Sequence, residues 1–346
     1  MTQERLEFLL GRFPRLKIAV LGDFCLDRYL EIDPARSETS IETGLPVHNV
    51  TRIRPQPGAA GTVLNNLSAL GIGSIVPIGF HGRDGEGFEL RSAVCSLPGV
   101  DPRFFMETPL RRTFTYVKPL LISPGVAPVE LSRLDIKNWS PTPEPVSDSL
   151  VAALEMVFPE CAAVVVMDQV DLPETGTVTS RVLEALGRLS AAHPGIPVFA
   201  DSRSGLGRFP ACRLKLNAAE LAGLVGLKDH SPARCGSAAQ ALADRSGQPV
   251  CVTLSERGIV CAEPGKTEPI LVPALPVRGP IDVVGAGDCV TANLAAATAA
   301  GANTVESLQL AMLACSHVVH QLGTSGSATR PDILRLLPSL PPSQTL

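Results

Sequence analysis

The segment Ile281-Asp282-Val283-Val284-Gly285-Ala286-Gly287-Asp288 runs into an alanine-rich stretch of helical character, Cys289–Ala300. Glycines at the start of a helix expose consecutive backbone N–H groups, and the helix dipole adds positive potential there. Gly285, Ala286 and Gly287 therefore read as an anion cradle, with Asp288 beside it in the first helical turn. A carboxylate next to an anion cradle is suited to taking the proton from a hydroxyl as it attacks phosphorus. A bare Gly-x-Gly-Asp is more often a turn followed by a helix cap. A dinucleotide fingerprint does not fit, because the third glycine is missing and the segment does not follow the first strand.

Other polar residues close strand-like apolar runs. Lys17–Gly22 ends at Asp23, and Asp27 follows it. Residues 162–167 end at Asp168, residues 197–200 at Asp201, residues 214–216 at Asn217, and residues 250–254 at Ser255. A further run covers residues 74–79. Continuous β-branched runs bounded by turn residues predict buried parallel strands. Helical patterns fall between them at 62–70, 146–158, 177–192, 218–224, 237–246 and 305–322. The alternation predicts an α/β fold, with helices flanking a doubly wound, mostly parallel central sheet. Ligands of such sheets bind beyond the carboxyl ends of the strands, where these polar residues collect. Residues 31–57 and 111–122 break the pattern with short alternating runs and predict a small separate β-sheet. The proline- and serine-rich tail from Leu336 is expected to fray.

The chain has 346 residues, enough for one large α/β domain. Its formal net charge of −4 lacks the basic field of a non-specific nucleic-acid binder. Nine cysteines are scattered with no metal-ligand spacing, and the six histidines show no zinc pattern. Reduced core thiols and a cytoplasmic location are the expectation. The first residues read as a short amphipathic helix rather than a secretory signal, and no apolar run is long enough to span a membrane.

The segment at 282–288 resembles the signature of the PfkB (ribokinase-like) carbohydrate kinases, and further matches follow in family order. Gly22-Asp23-x-x-x-Asp27 resembles the opening motif. Gln56–Gly61 with Asn66 resembles the first signature, Asn217-x-x-Glu220 the N-x-x-E motif, Thr253–Gly258 the nucleotide loop, and Leu322–Ser325 the loop beside it. Within the family the chain is most similar to the heptose-phosphate kinase part of ADP-heptose synthases, through Gly22–Tyr29, Arg111–Pro119, Ser132–Asp135 and Phe199–Gly205. The nucleotidyltransferase domain that often follows in that subfamily has no counterpart in these residues. Four positions depart from the pattern: Ala59 and Ser255 stand where glycine is usual, Thr62 where an amide is usual, and Val283 where threonine is common.

The resemblance implies a ribokinase-like fold in one kinase domain over 1–346, with the small sheet as a lid, and dimerisation through that lid. It implies ATP with Mg²⁺ as cofactors and, in some members, K⁺. Asp288 becomes the general base and Gly285–Gly287 the phosphoryl cradle. Asp23, Asp27, Gly58, Ala59, Thr62, Asn66 and Arg133 would hold a sugar or sugar phosphate, with Arg112 and Lys118 as further partners for a phosphate. Asn217, Glu220, Thr253, Ser255, Gly258, Gly323 and Ser325 would hold the nucleotide. Glu220 would position Mg²⁺ through water, and Asp282 a monovalent cation. Two other readings stay open: a nucleoside kinase that stacks a base on Phe114 or Tyr116, and a non-catalytic sugar or nucleotide sensor.

Overall fold

A computed structural model describes residues 1–126, 128–203 and 205–346. Ten strands form the main sheet. Starting from one edge, the parallel part runs Phe105–Thr108, Ser74–Gly82, Lys17–Gly22, Ala163–Asp168, Val198–Ser202, Arg213–Asn217 and Val250–Thr253. Three antiparallel strands complete it: Ile259–Ala262, Ile270–Val272 and Gln344–Thr345. The central strands are buried throughout, as the unbroken apolar run of Ala163–Asp168 requires of a sheet covered on both faces.

Helices Ala60–Ala69, Ala286–Ala299 and Thr304–Val318 pack against one another in one layer. Glu144–Val157 pairs with Ser180–Ala192, and Pro232–Ser246 covers Val250–Thr253 and Ile259–Ala262. The doubly wound α/β reading therefore holds. The tail does not fray as expected: Gln344–Thr345 hydrogen-bonds to the edge strand Ile270–Val272.

The second sheet is larger than the sequence suggested. Its strands are Val50–Ala59, Phe24–Ile32, Phe114–Leu121 and Leu134–Ile136, with Val129–Glu130 beside Phe114–Leu121. It begins at Phe24, seven residues before the expected start at 31, because Gly22 and Asp23 turn the chain from the main sheet directly into it. Residues 31–57 alone miss this, since residues 24–26 are buried against the body like a core strand. Glu38–Thr39 and Pro46–Val47 form a separate hairpin. The chain leaves the lid through residues 137–143, where Trp139 is 77% exposed. No helix among the described residues is long and apolar enough to cross a membrane.

Candidate active site

Helix Ala286–Ala299 lies over Ala163–Asp168 and Val198–Ser202, so its first turn stands at the carboxyl ends of the parallel strands. Gly285 starts it in a left-handed conformation, φ 80° and ψ −1°, which glycine adopts without a Cβ penalty. Of the cradle N–H groups, that of Ala286 is not free, because it donates to Val283 O at 3.1 Å. Those of Gly287 and Asp288 have no acceptor among the described residues and remain for an anion. Asp282 holds this turn to the neighbouring loop, its carboxylate accepting from Val284 N and Gly323 N, both at 3.0 Å.

The turn separates two cavities. One, of about 320 Å³, lies under the lid and includes Asp27, Ala59, Thr62, Arg133, Gly285, Asp288 and Ser325 in its wall. The other, of about 540 Å³, includes Thr253, Ser255, Gly258, Ala286 and Gly287, with an apolar wall from Leu275, Val277, Ile281 and Met312. Ser325 thus faces the lid-side cavity, not the one that holds the Thr253–Gly258 loop.

Burial pushes the Asp288 carboxyl up to about 7; Asp201 adds to the rise, while Lys215 and Arg203 oppose it. A base must be unprotonated to act. If Asp288 serves as the general base expected from the sequence, kcat/KM for a hydroxyl acceptor should fall about tenfold per pH unit below an apparent pKa near 7. A profile flat from pH 5.5 to 8 would remove Asp288 as the titrating base.

Asp27 sits at the lid-side wall, 7% exposed, with Lys118 Nζ 3.1 Å from its Oδ1. Burial raises its pKa, and Lys118 counters this. A Cβ on Gly58 would stand 2.8 Å from Asp27 Oδ2, so any side chain there would push that carboxylate aside. Ala59 keeps the backbone shape of a glycine, φ 54° and ψ −117°, at a strain of about 1–3 kcal/mol. Ser255 likewise has φ 55°. Two of the four sequence departures thus fall at positive-φ positions. Ala59→Gly is expected to raise stability by about 1 kcal/mol, after the entropic cost of glycine, as a small rise in Tm. A lower Tm would show that the Ala59 methyl packs better than its backbone suffers.

Several expected contacts are placed elsewhere. Asp23 is fully buried and accepts from Gln169 N (2.9 Å), Val170 N (3.2 Å) and Thr177 N (2.6 Å). It anchors the loop after Ala163–Asp168 and does not reach the cavity wall. Asn66 is buried and donates to Thr62 O and Gly326 O, joining its helix to the 322–326 loop. Arg112 is exposed and does not line the cavity, while its neighbour Arg111 is buried among the carbonyls of Ser140 and Thr175. Asn217 and Glu220 form a reciprocal capping box at 2.7 and 2.9 Å. Phe114 is 2% exposed and packs on Phe80, so of the two aromatics only Tyr116 lines the lid-side cavity.

Three basic residues escaped the sequence reading. Lys137 lines the lid-side cavity and pairs with Asp171 at 2.8 Å. Arg203 lines it with no ion pair among the described residues. Arg133, which was expected there, is paired with Asp135 at 2.7 Å and stacked on Tyr116. The third is Lys215, a lone charge in the apolar strand 214–216. That isolation was the available signal, since a lysine is almost never fully buried unless paired.

The pfkB family carbohydrate kinase model matches residues 147–331, just over half of the chain. The chain is 33% identical over 313 residues to the bifunctional protein HldE of Caulobacter vibrioides, covering 89% of this chain and 60% of that protein. It is 32% identical to HldE of Gluconacetobacter diazotrophicus, over 95% of this chain and 64% of that one. The chain thus spans about three fifths of the length of these relatives. Among solved structures it is similar to Escherichia coli phosphofructokinase-2, with a TM-score of 0.70 at 20% identity, covering 94% and 99% of the two chains. Arabidopsis thaliana ribokinase, solved with ribose and ATP, matches with a TM-score of 0.68 at 20% identity, over 93% and 98%. These likenesses share the ribokinase-like fold. With the cradle, the carboxylate and the two cavities, they lead to one conclusion: the chain belongs to the pfkB family of carbohydrate kinases, phosphotransferases whose acceptor is a hydroxyl group.

Proposed function

We propose that the chain transfers the γ-phosphoryl group of ATP to a hydroxyl of a sugar or sugar phosphate, with Asp288 as general base. The observation that carries this is the single helix turn shared by the two cavities, with Asp288 on the lid side and Gly287 on the other. ATP would lie along Thr253–Gly258 with its base against the apolar wall. Its terminal phosphate would meet the N–H groups of Gly287 and Asp288. The acceptor would sit under the lid, its hydroxyls bonded to Asp27, with the attacking one against Asp288. Rate would come from positioning and charge neutralisation.

Mg²⁺ neutralises phosphate charge when bound. It commonly keeps several waters and needs few protein ligands, and Glu220 engages only Oε2 in its capping box. Glu220 fits as a water-mediated support. Asp282 spends both oxygens on backbone N–H groups and fits a brace better than a K⁺ site. Arg203, at the lid-side cavity without an ion pair among the described residues, supports an acceptor that already carries a phosphate. A base stacked under the lid would have Tyr116 alone, already covered by Arg133, so the sugar reading is favoured over the nucleoside one. Exposed Val50, Ile53, Val129 and Leu134 on the lid strands suit a homodimer through the lid.

The test is ATP consumption over a panel of hexoses, heptoses, their phosphates and nucleosides. Turnover is expected with a sugar or sugar phosphate. Turnover with nucleosides alone would overturn the acceptor class, and binding of sugar and ATP with no turnover would favour a sensor.

A further inference from the structure

The strand Arg213–Asn217 holds a charge where a covered sheet would place an apolar residue. Leu214 and Leu216 are buried, and Lys215 between them is 5% exposed. Its Nζ lies 2.7 Å from Asp201 Oδ2, and a Cβ added to Gly287 would stand 2.9 Å from the same nitrogen. An ammonium has three donors, and Asp201 is the one hydrogen-bond acceptor of Lys215 among the described residues. Thr291 steadies the pair from the helix. Its hydroxyl lies 3.0 Å from Asp201 Oδ2 and 3.1 Å from Gly287 O, with one proton to serve either. The pair is thus wedged beneath the first turn of Ala286–Ala299. Taking two charges out of water is costly, and an apolar pair of the same volume is often as stable or more so. Stability gives no reason to keep Lys215 here; its position under the cradle does. A side chain at residue 287 would have to shift this ammonium.

We propose that Lys215 is a positioning residue for phosphoryl transfer: a fixed cation under Gly287, held by Asp201, that adds its field to the anion cradle and acts on the reaction through Asp288. The inference rests on the kinase reading above. The charged groups around it come from every neighbouring element. Asp201 lies on Val198–Ser202, Arg203 beyond its end, Glu220 on Ala218–Val225, Asp288 on the helix above, and Asp27 on the lid. Lys215 and Arg203 favour the ionised base, while Asp201 and Asp27 oppose it.

The test compares Lys215→Gln with the parent enzyme, using the acceptor found in the panel. Glutamine keeps a donor for Asp201 but removes the charge. The expected result is a kcat lower by roughly 50-fold, with the acceptor KM changed less than threefold. The acid limb of kcat/KM should also move to higher pH, because the base loses a nearby cation. Lys215→Arg should recover part of both. A merely structural lysine would change Tm and leave kcat per folded enzyme and the limb in place. Should the single variant fail to fold, Lys215→Met with Asp201→Asn removes both charges together, and the loss in kcat should persist. A kcat within threefold of the parent in a folded variant overturns the proposal. A parent enzyme that phosphorylates nothing sinks the kinase reading instead, so the two failures are distinguishable.

Discussion

Asp288→Asn should yield a folded protein whose kcat is lower by about a thousandfold or more, near the upper range for removing a general base. The amide matches the carboxylate in size and cannot accept the hydroxyl proton. Both cavities should survive, so ATP and acceptor KM values should change little. The same substitution should not destabilise. Burial raises the Asp288 pKa to about 7, well above an unfolded aspartate near 3.9. A carboxyl whose folded pKa is raised binds its proton more tightly in the native state. Its ionisation therefore erodes stability as pH rises from the unfolded value through about 7, and the loss is complete above that. Asparagine has no such loss. At pH 8 the variant should melt at or above the parent temperature. Steady-state kinetics and thermal unfolding on one preparation check both halves, and turnover within tenfold of the parent would remove Asp288 from the mechanism.

Gly258→Ala should produce the largest loss of stability, about 3 kcal/mol or more. Gly258 has φ 99° and ψ −138°, a region essentially closed to residues with a Cβ. The added carbon would stand 2.1 Å from Val272 O and 2.6 Å from Ala274 N. Both are backbone atoms, and Val272 pairs with Ile259 in the sheet, so neither can move without breaking the ladder. Since Gly258 and Ala274 also line the larger cavity, the variant that does fold should show a raised KM for ATP. Thermal unfolding decides the main point: a Tm within a degree of the parent would mean the loop refolds around the methyl.

The fold was legible where burial is simple. Lys17–Gly22 and Ala163–Asp168 carry unbroken apolar runs, and both are central strands. The lid was harder to bound because Phe24–Ile32 buries its first residues against the body and reads as core. Short antiparallel strands such as Ile270–Val272 and Gln344–Thr345 carry too few residues to show a period. At the site, Asp288 and Gly285 were expected from the helix-start chemistry of their own segment and Asp27 from the resemblance of residues 22–27 to an opening motif, and all three line the lid-side cavity. Asp23 shared the opening motif with Asp27, yet its carboxylate turns to backbone N–H groups of a loop about 150 positions away, which spacing cannot reveal. Lys137 and Arg203 lie in connections whose path over the cavity is set by tertiary packing.

The joint between lid and body carries the chain's one tryptophan, Trp139, with most of its ring in solvent. Indole emission shifts with the polarity around the ring, and here no second indole dilutes it. A change in indole emission on adding either ligand can therefore be assigned to the surroundings of that segment, giving a label-free signal for stopped-flow binding work.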